Sequence, residues 1–413
     1  MKSVDVLVIG AGAAGLAAAV SLKENGIENV LVVDREDFAG GILLQCIHSG
    51  FGLHRFGEEL TGPEYAQRYI DMSERQNIEM LLSSSVVDII SKDDFKEVII
   101  LSQDSGLVKV NAKAIILAMG CRERNRGNIS IPGSRPAGIF TAGLAQKLVN
   151  MEGLMPGNEF VIVGSGDIGL IMARRLTLEG AKVKAVLEIQ PYPGGLERNI
   201  VQCLDDFDIP LYTSHIVTNI SGSRRVESVE VSEITHTGEF APKMKITCDT
   251  LLLSVGLIPE NELSIIAGVS LNTATAGPIV SSDYMTNVSG VFACGNVLHV
   301  HDLVDYASDE ASVCAKAVSM YLADNLPPDE CIPVHSGNMV KYVVPSAIKP
   351  QCDTTLKLRP VAPMKNVKIK VVSDSGDVLK SKKLVRAIPS EMLTVQLDNV
   401  PTGCKSITVY FEI

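Results

Sequence analysis

Two stretches of this chain share one spacing of glycines, and each stretch reads as a β-strand, a glycine-rich turn and a helix. The first runs VLVIGAGAAGLAAAVSLKENG from Val6 to Gly26, and the second runs VIVGSGDIGLIMARRLTLEG from Val161 to Gly180. An acidic residue, Asp34 in one stretch and Glu188 in the other, follows at the same offset from the first glycine. The glycines are Gly10, Gly12 and Gly15 in the first copy, and Gly164, Gly166 and Gly169 in the second.

This repeated pattern predicts two dinucleotide-binding units in an α/β protein. The first glycine allows a tight turn, the second lets the backbone approach a pyrophosphate, and the third lets the helix pack on the strand. The pyrophosphate lies at the helix N-terminus, where N–H groups favour an anion, and the acidic residue binds a ribose. Next to these landmarks, we expect further contacts with the two dinucleotides from Arg35, Gly41 and Gly120 for the first copy and from Asp167 and Gly256 for the second.

Composition narrows the class of protein. The chain has 413 residues and a net charge of −11, which argues against nucleic acid as a partner. The apolar run from Val6 to Leu22 carries the glycine pattern, and no other run approaches the roughly 18 apolar residues of a membrane span. Nine cysteines include no C-x-x-C pair, so neither a zinc site nor a disulfide framework is expected. We therefore expect a cytoplasmic protein without a transmembrane segment.

The rest of the chain supplies local signals. We expect a helix over residues 61–76, another over 307–322, and strands ending at Gly120 and Gly256. Turns are predicted at residues 103–106 and 373–376, and alternating β-like runs after Cys331 predict a C-terminal antiparallel β domain. Between Lys341 and Arg386 there are 11 Lys or Arg against 3 Asp. Such a basic module either docks an acidic partner or simply has solvated faces.

A family resemblance becomes visible in the order of these motifs. The two glycine patterns, the AMG and SVG strands and the segment GVFACGN, from Gly290 to Asn296, resemble the two-dinucleotide flavoproteins of the disulfide-reductase superfamily over residues 4–325. The resemblance implies FAD in the first unit, completed by Gly295 and Asn296, and a nicotinamide dinucleotide in a second, inserted unit. The domains would be 1–121 with 250–328, 122–249 with its linkers, and 331–413.

A narrower resemblance lies in GGILLQCIHSGFGLHRFGEELTGPEY, from Gly40 to Tyr65, and in GCRERNRGNISIPGSRPAGIFTAG, from Gly120 to Gly143. Both are similar to flavoprotein subunits encoded beside a glycerol-3-phosphate dehydrogenase in anaerobic bacteria. They also resemble subunits of opine oxidases, of hydrogen cyanide synthase and of sarcosine oxidase. The resemblance implies a partner flavoprotein dehydrogenase subunit, and an oligomer is compatible with it.

The chain departs from the superfamily at the redox cysteines. Disulfide-reducing members carry a pair of cysteines, whereas here the first location holds Cys46 with His48 nearby and the second unit holds Cys203 alone before Cys248. Cys46 and His48 are the tentative catalytic residues. As a thiolate, Cys46 would form a charge-transfer contact or a sulfenic acid; otherwise it is a small residue lining the FAD site. His48 either donates a proton near the flavin or is a packing or hydrogen-bonding residue.

Two further features bear on the cofactors. Asn296 stands where the superfamily usually has Asp, and we expect its carbonyl oxygen to accept from the flavin ribityl chain. His299, His301 and Asp302 lack further ligands in sequence, so no metal site is expected.

The preferred nicotinamide dinucleotide follows from the strand ends. Glu188 favours NAD(H) over NADP(H), because a carboxylate repels a 2′-phosphate. Three arginines in the second unit keep NADP(H) open: Arg174, Arg175 and Arg198. Four more arginines lie in the connection between the units: Arg122, Arg124, Arg126 and Arg135. They either contact phosphates or an acidic partner, or belong to a solvated linker.

The function expected from these observations is hydride exchange between NAD(H) and FAD, with electrons passed to or from a partner subunit. The resemblance adds glycerol-3-phosphate oxidation as the process served. Two alternatives stay open at this point: a self-contained amine, opine or quinone oxidoreductase, and a non-catalytic scaffold with degenerate nucleotide sites.

Overall fold

The chain forms two compact units, one inserted in the other. A computed structural model describes residues 2–241, 244–326, 330–350, 353–398, 400 and 403–413. The first unit comprises residues 1–121 and 259–413, and the second comprises residues 122–258. In sequence, the second unit therefore lies between the two parts of the first.

The helices and strands of the described residues are numbered in chain order. The helices are α1 (Ala13–Glu24), α2 (Gly62–Arg75), α3 (Ala142–Asn150), α4 (Asp167–Leu178), α5 (Glu197–Cys203), α6 (Glu262–Ile266) and α7 (Val304–Leu322), with short 3-10 turns at Gly41–Gln45, Asp205–Phe207 and Gly295–Val297. The strands are β1 (Lys2–Ile9), β2 (Val30–Val33), β3 (Ser49–Phe51), β4 (Leu60–Thr61), β5 (Glu79–Leu81), β6 (Ser84–Ser91), β7 (Lys96–Ser102), β8 (Gly106–Leu117), β9 (Cys121–Glu123), β10 (Ile139–Thr141), β11 (Glu159–Val163), β12 (Lys182–Leu187), β13 (Leu211–Tyr212), β14 (His215–Ser221), β15 (Ser228–Glu233), β16 (Met244–Thr247), β17 (Thr250–Leu253), β18 (Leu257–Pro259), β19 (Val291–Ala293), β20 (Ile332–Ser336), β21 (Val340–Val344), β22 (Ala347–Ile348), β23 (Thr354–Pro360), β24 (Met364–Ser373), β25 (Val378–Ala387), β26 (Leu393–Leu397) and β27 (Ile407–Glu412).

The main sheet of the first unit has the order β5-β2-β1-β8-β7-β6, and β19 pairs with the end of β8. Strands β1, β2, β5, β8 and β19 run parallel. The apolar residues of β1, β2 and β19 are buried, as is typical of a parallel sheet that helices cover. Helix α1 packs against α7 and α2. The loop that follows β1 therefore lies at the carboxyl edge of the sheet, where α/β proteins bind ligands.

Several local predictions are confirmed. Helix α2 begins after Thr61 with a capping box, in which Glu64 accepts a hydrogen bond from the Thr61 N–H at 2.8 Å. The predicted turn over residues 103–106 joins β7 to β8, and the turn over 373–376 joins β24 to β25. The helix expected over 307–322 begins three residues earlier, at Val304.

The C-terminal strands form two sheets within the first unit, in the orders β22-β20-β27-β24-β25 and β21-β23-β26. They enclose a hydrophobic core of their own, while Tyr342 and Val344 join the core around the main sheet of this unit. The expectation of a purely antiparallel β domain is wrong in one place, since β20 and β27 pair in parallel. A long connection separates these two strands, so they do not form a hairpin.

The second unit contains a parallel sheet of order β10-β17-β11-β12-β13 and a separate three-stranded sheet, β14-β15-β16. Strand β17 pairs with β10 and β11 of this unit. The expected boundary at residue 250 is therefore wrong, and the chain returns to the first unit at Pro259. None of the helices in the described residues combines the length and apolar character needed to span a membrane.

Candidate functional site

The first glycine-rich loop is fixed by close backbone contacts. Gly10 has a φ of +110°, and a Cβ there would lie 2.4 Å from the Ala118 carbonyl oxygen. A Cβ on Gly15 would lie 1.7 Å from the Gly10 carbonyl oxygen, so the helix can approach the strand only with glycine. Gly12 meets nothing within 4 Å, which leaves its surface open. Gly10 and Gly15 therefore allow the turn and the close helix packing that the sequence predicts, while the pyrophosphate contact of Gly12 stays a prediction.

Asp34 holds this loop from the end of β2. Its Oδ2 accepts a hydrogen bond from the Ala11 N–H at 2.5 Å, and its Oδ1 accepts from the Glu36 N–H at 2.9 Å. Gly41, with a φ of +56°, approaches so closely that a Cβ on it would lie 3.0 Å from the Gly12 Cα. The carboxylate thus lies beside the loop that the pattern assigns to a dinucleotide.

The loop of the second unit repeats this arrangement. Gly164 has a φ of +96°, and a Cβ there would lie 2.0 Å from the Ser254 carbonyl oxygen. A Cβ on Gly169 would lie 2.7 Å from the Gly164 carbonyl oxygen, while Gly166 is open. The duplication seen in sequence is therefore also a duplication of backbone geometry.

Glu188 takes the place of Asp34 in this second loop. Its Oε2 accepts from the Ser165 N–H at 3.0 Å and from the Ser165 hydroxyl at 2.6 Å. Its Oε1 accepts from the Gln190 N–H at 2.9 Å, as Asp34 accepts from the residue two positions after it. An oxygen of a carboxylate has two acceptor sites, so Oε1 retains capacity for a ribose hydroxyl.

Both loops have the features that a pyrophosphate requires. Gly12 and Gly166 are the N-cap residues of α1 and α4, and neither helix has a side-chain hydrogen bond at its N-cap. The first N–H groups of a helix lack partners within the helix and form an anion site together with its dipole. An added side chain at either open glycine would enter the space that these N–H groups face. The residues present therefore fit one dinucleotide in each unit.

Asp167 connects the second loop to the next helix. Its Oδ1 accepts from the Leu196 N–H at 2.8 Å and from the Asn199 side chain at 2.6 Å. These bonds tie the start of α4 to the start of α5. Contact between Asp167 and a cofactor stays a prediction.

Gly295 and Asn296 follow β19 in the first unit. The Gly295 N–H donates to Glu310 Oε1 at 2.8 Å. Asn296 Oδ1 accepts from the backbone N–H of His301 at 3.0 Å and lies 3.2 Å from the Nδ1 of that ring. Because the backbone N–H can only donate, the facing atom must be the amide oxygen. The expected acceptor of Asn296 is thus already engaged, and its amide nitrogen lies 3.7 Å from Cys121 Sγ.

Glu310 is the centre of a buried charged cluster behind Asn296. Its Oε2 lies 2.9 Å from His299 Nε2 and 3.4 Å from His301 Nε2, and it forms an ion pair with Lys357 of β23. Arg359, two residues along β23, pairs with Asp302 and donates to the Val300 carbonyl oxygen at 3.1 Å. Strand β23 therefore holds the segment that follows the GVFACGN motif.

The electrostatics of this cluster are set by burial and by the ammonium group. Burial acts to raise the pKa of Glu310, but Lys357 and the two imidazoles outweigh it and hold that pKa well below its usual range. Burial lowers the pKa of His299 to about 4, against the opposing effect of the Glu310 carboxylate. Glu310 is therefore a carboxylate at neutral pH and His299 a neutral imidazole.

The same cluster contains two of the three residues that were considered as metal ligands from the sequence, His299 and His301. One ligand atom each from His299, His301 and Glu310 lies within 4.8 Å of the others, whereas Asp302 belongs to the ion pair with Arg359. The Lys357 ammonium contacts the same oxygen of Glu310. A second cation would face that ammonium, so we assign the carboxylate to Lys357.

Cys46 and His48 lie at the end of the 3-10 turn that follows Gly40. The Cys46 thiol donates to the Ile42 carbonyl oxygen at 3.3 Å, and burial raises the pKa of Cys46 to about 12. This favours a thiol over the thiolate considered from the sequence. His48 Nδ1 lies 3.0 Å from the Ser49 carbonyl oxygen, and its ring centroid lies 5.1 Å from that of Phe51.

The remaining predicted residues take ordinary positions. Arg35 is exposed: its side chain is 72% accessible, and its Nε lies 4.0 Å from Glu36 Oε1. Gly120 and Gly256 have φ values of +72° and +94° and no neighbouring atoms within 4 Å of an added Cβ. Each follows a strand of the sheet that carries its own glycine-rich loop, which is compatible with the expected contact.

Sequence reasoning missed Glu310, Lys357, Arg359 and Cys121. One signal was present: Glu310 lies on the apolar stripe of α7 among Ala307, Ala311, Cys314 and Val318, all buried. A charged residue on such a stripe requires a buried partner. That partner, Lys357, lies on β23 of the C-terminal sheets, and no local sequence pattern identifies it.

Comparison with known proteins gives the family and the fold. The family model for pyridine nucleotide-disulphide oxidoreductases matches residues 4–311. The structure of a thioredoxin reductase from T. acidophilum superposes with a TM-score of 0.63 at 23% identity, covering 78% of this chain and 99% of that one. A Lactococcus lactis thioredoxin reductase gives 0.64 at 21% identity, with the same coverage. These two likenesses show the fold.

Two curated relatives are named as enzyme subunits. An opine oxidase subunit of Agrobacterium tumefaciens (strain Ach5) is 25% identical over 312 residues, which cover 71% of this chain and 61% of the relative. A hydrogen cyanide synthase subunit of Pseudomonas protegens, HcnB, is 24% identical over 306 residues, covering 68% and 62%. The match thus covers about three fifths of the length of these two relatives.

Proposed function

The chain belongs to the pyridine nucleotide-disulphide oxidoreductase family, and we propose that it exchanges hydride between NAD(H) and FAD. One observation carries the proposal: the loop and carboxylate geometry occurs twice, once in each unit. Ala11 N–H donates to Asp34 in the first unit as Ser165 N–H donates to Glu188 in the second. A chain with two such loops is built to hold two dinucleotides.

In the proposed arrangement, the first unit holds FAD. The N–H groups at the start of α1 bind the pyrophosphate, Asp34 binds the adenosine ribose, and the segment from Gly295 to Asn296 closes the site. FAD supplies the hydride and electron transfer chemistry when bound. The residues of the chain bind and orient it, and Glu310 holds the Gly295 N–H from behind at 2.8 Å.

The second unit holds NAD(H) rather than NADP(H). Glu188 is buried, and its carboxylate faces the backbone of the glycine-rich loop. A ribose diol can donate to the remaining acceptor site of Oε1, whereas a 2′-phosphate would place a second negative charge beside it. This buried carboxylate supports the NAD(H) preference.

Electrons leave or enter through a partner subunit. Cys203 and Cys248 of the second unit are free thiols, and both are buried. Cys294 and Cys314 of the first unit form a hydrogen-bonded pair of thiols, yet both are fully buried and out of reach of a substrate. Two similar proteins are themselves named as subunits, of opine oxidase and of hydrogen cyanide synthase. We extend this to a dehydrogenase partner, with glycerol 3-phosphate as the substrate oxidised there.

Anaerobic titration of the purified, FAD-loaded chain tests the cofactor assignment. NADH should bleach the visible absorption of the flavin stoichiometrically, and NADPH should do so far more slowly. A chain that stays colourless after incubation with FAD would refute the proposal. Steady consumption of NADH by the isolated chain in the presence of an amine, an opine or a quinone would instead favour a self-contained enzyme.

The partner assignment has its own experiment. The chain is mixed with NAD⁺ and the glycerol-3-phosphate dehydrogenase of the same organism, and formation of NADH is followed after addition of glycerol 3-phosphate. The proposal expects NADH only when both proteins are present. Equal rates with and without this chain would overturn the partner assignment and leave the cofactor assignment intact.

A further inference from the structure

The second unit contains a cavity of about 630 Å³ whose lining includes no residue of its glycine-rich loop and not Glu188. Its walls come from the segment that leads into β10 and from the ends of two parallel strands. Thr141 is the last residue of β10 and Leu253 the last of β17, and the two are paired in register. The cavity therefore lies at the carboxyl edge of the sheet, the edge at which open α/β sheets bind ligands.

The strand order separates this cavity from the site of the adenosine ribose. In the order β10-β17-β11-β12, the glycine-rich loop follows β11, and Glu188 follows β12 on one side of it. Leu253 pairs with Val163 on the other side, and Thr141 lies one strand further away. A 2′-phosphate placed at Glu188 would thus point away from the cavity.

Two arginines give one wall of the cavity a positive charge. The Arg126 guanidinium donates to three backbone carbonyl oxygens, of Ile131 at 3.0 Å, Ser134 at 2.6 Å and Gly133 at 3.0 Å. A guanidinium has five N–H donors, so these bonds fix its position and leave two donors free. Arg135 lies close enough that its repulsion, together with burial, lowers the pKa of Arg126.

The positive charge of this wall lacks a compensating carboxylate. Within the part of the chain that the structure describes, neither Arg126 nor Arg135 forms an ion pair with Asp or Glu. Two like charges held together without a counterion cost free energy, because their repulsion is not offset. An anion that bridges them would remove this cost. Positioned guanidiniums with free donors suit planar or tetrahedral oxyanions.

The other walls are apolar. Ile131, Pro132, Pro136, Ile139, Phe140 and Leu253 line the cavity. A volume of this size lies in the range that small-molecule sites occupy, and such sites combine apolar walls with a few polar groups that fix orientation. The lining therefore suits an organic anion with a compact apolar body better than a bare inorganic ion.

We propose that this cavity binds a small organic anion, a carboxylate or a phosphate ester, through Arg126 and Arg135, at a subsite separate from the dinucleotide. The apolar body of the ligand packs on Phe140 and Leu253, and its oxyanion bridges the two guanidiniums. The proposal rests on the cavity and its charge and does not require the redox function. Arg126 and Arg135 belong to the connection between the units. From the sequence, this connection either contacts phosphates or an acidic partner, or is a solvated linker.

Isothermal titration of the full FAD-loaded chain tests the proposal, with phenyl phosphate, benzoate, inorganic phosphate and uncharged phenol as probes. The aromatic anions should bind, inorganic phosphate more weakly, and phenol not at all. Arg135→Gln should weaken anion binding by about tenfold or more, the loss expected for a charge-assisted hydrogen bond. Arg135 is exposed, so its replacement should not lower the melting temperature.

The matched control is Lys182→Gln. Lys182 is an exposed cation at the amino end of β12, at the opposite edge of the same sheet, and its loss should leave anion binding unaltered. If both substitutions weaken anion binding equally, the effect comes from the net charge of the protein alone, and the proposal is overturned. Complete displacement of phenyl phosphate by saturating NAD⁺ would also overturn it, because the cavity would then belong to the dinucleotide site. Whether benzoate or phenyl phosphate binds more tightly identifies the oxyanion.

Discussion

Lys357, on a strand of the C-terminal sheets, forms an ion pair with Glu310 of α7, and the second oxygen of Glu310 holds the Gly295 N–H at 2.8 Å. The Glu310 side chain is fully inaccessible and that of Lys357 only 13% exposed. The C-terminal strands thus reach the segment that completes the proposed FAD site. A basic module that composition alone treated as a docking surface or a solvated face contributes cations to the interior, since Lys349 is also buried and pairs with Asp283.

Removing that cation should destabilise the protein. Lys357→Met keeps the aliphatic stem but leaves a buried carboxylate without its partner, which costs about 3 kcal/mol of unfolding free energy. Urea unfolding followed by circular dichroism measures the change. Lys368→Met is the control, since Lys368 pairs with Glu412 at an exposed site, 44% and 38% accessible, and should cost less than about 1 kcal/mol. An unchanged urea midpoint for Lys357→Met would contradict the assigned role.

Stability should fall in mild acid because of His299. Its pKa is about 4 in the folded chain, below the ordinary value of about 6.5, so the unfolded chain binds more protons in this window. Stability is then highest above the unfolded pKa and decreases as the pH falls toward the folded one. The loss from about pH 7 to pH 5 should be about 2 kcal/mol from this residue.

Urea unfolding at the two pH values, with His299→Gln and His335→Gln, checks this origin. His299→Gln keeps a side-chain donor and should remove most of the pH dependence in this window. His335 is exposed, so its replacement should leave the dependence as in the wild type. If both variants lose the same stability on acidification as the wild type, His299 is not the cause.

Asn296→Asp tests which end of the amide faces the flavin. Asn296 Oδ1 already accepts from the His301 N–H, so the group left for a ligand is the amide N–H₂, a donor. Asp would replace that donor with an acceptor and add a second carboxylate near Glu310. We expect FAD to bind about tenfold more weakly, measured by fluorescence titration of apoprotein. Tighter binding would show that an acceptor is needed there, as the superfamily pattern suggests.

Glu188→Gln should relax the choice between nicotinamide dinucleotides. The amide oxygen can still accept from Ser165, but the charge that repels a 2′-phosphate is gone. Anaerobic flavin reduction by NADPH should accelerate relative to NADH by about tenfold. Asp34→Asn, the equivalent change in the other unit, should weaken FAD binding and leave the ratio of the two rates as it was. An unaltered ratio in Glu188→Gln would remove Glu188 from the specificity argument.

Cys46→Ser should leave flavin reduction within about twofold of the wild type, because a thiol with a pKa of about 12 supplies no thiolate at neutral pH. Stopped-flow reduction by NADH measures the rate. The oxidised wild-type protein should also lack a long-wavelength charge-transfer band. Such a band in the wild type, abolished by Cys46→Ser, would restore the thiolate interpretation.

Local sterics explain why the sequence was sufficient for both glycine-rich loops. Gly10 and Gly164 need positive φ values and face carbonyl oxygens, and Gly15 and Gly169 abut the loop carbonyls, so the residue type and its spacing specify the conformation. The capping box at Thr61 and the turn before Gly106 are likewise made from neighbours in sequence. Contacts between residues that are close in sequence leave a pattern that can be recognised from the sequence alone.

The sequence by itself therefore determined the two nucleotide-binding units, their glycines and their paired carboxylates, because short-range backbone geometry dictates them. Only the tertiary structure decided that β17 belongs to the second unit, that β20 and β27 run parallel, and that Lys357 meets Glu310. It also decided that Arg126 and Arg135 share a cavity wall. Each of these depends on segments far apart in sequence, and the energy that unites them, the burial of apolar surface and the pairing of charge, has no local signature.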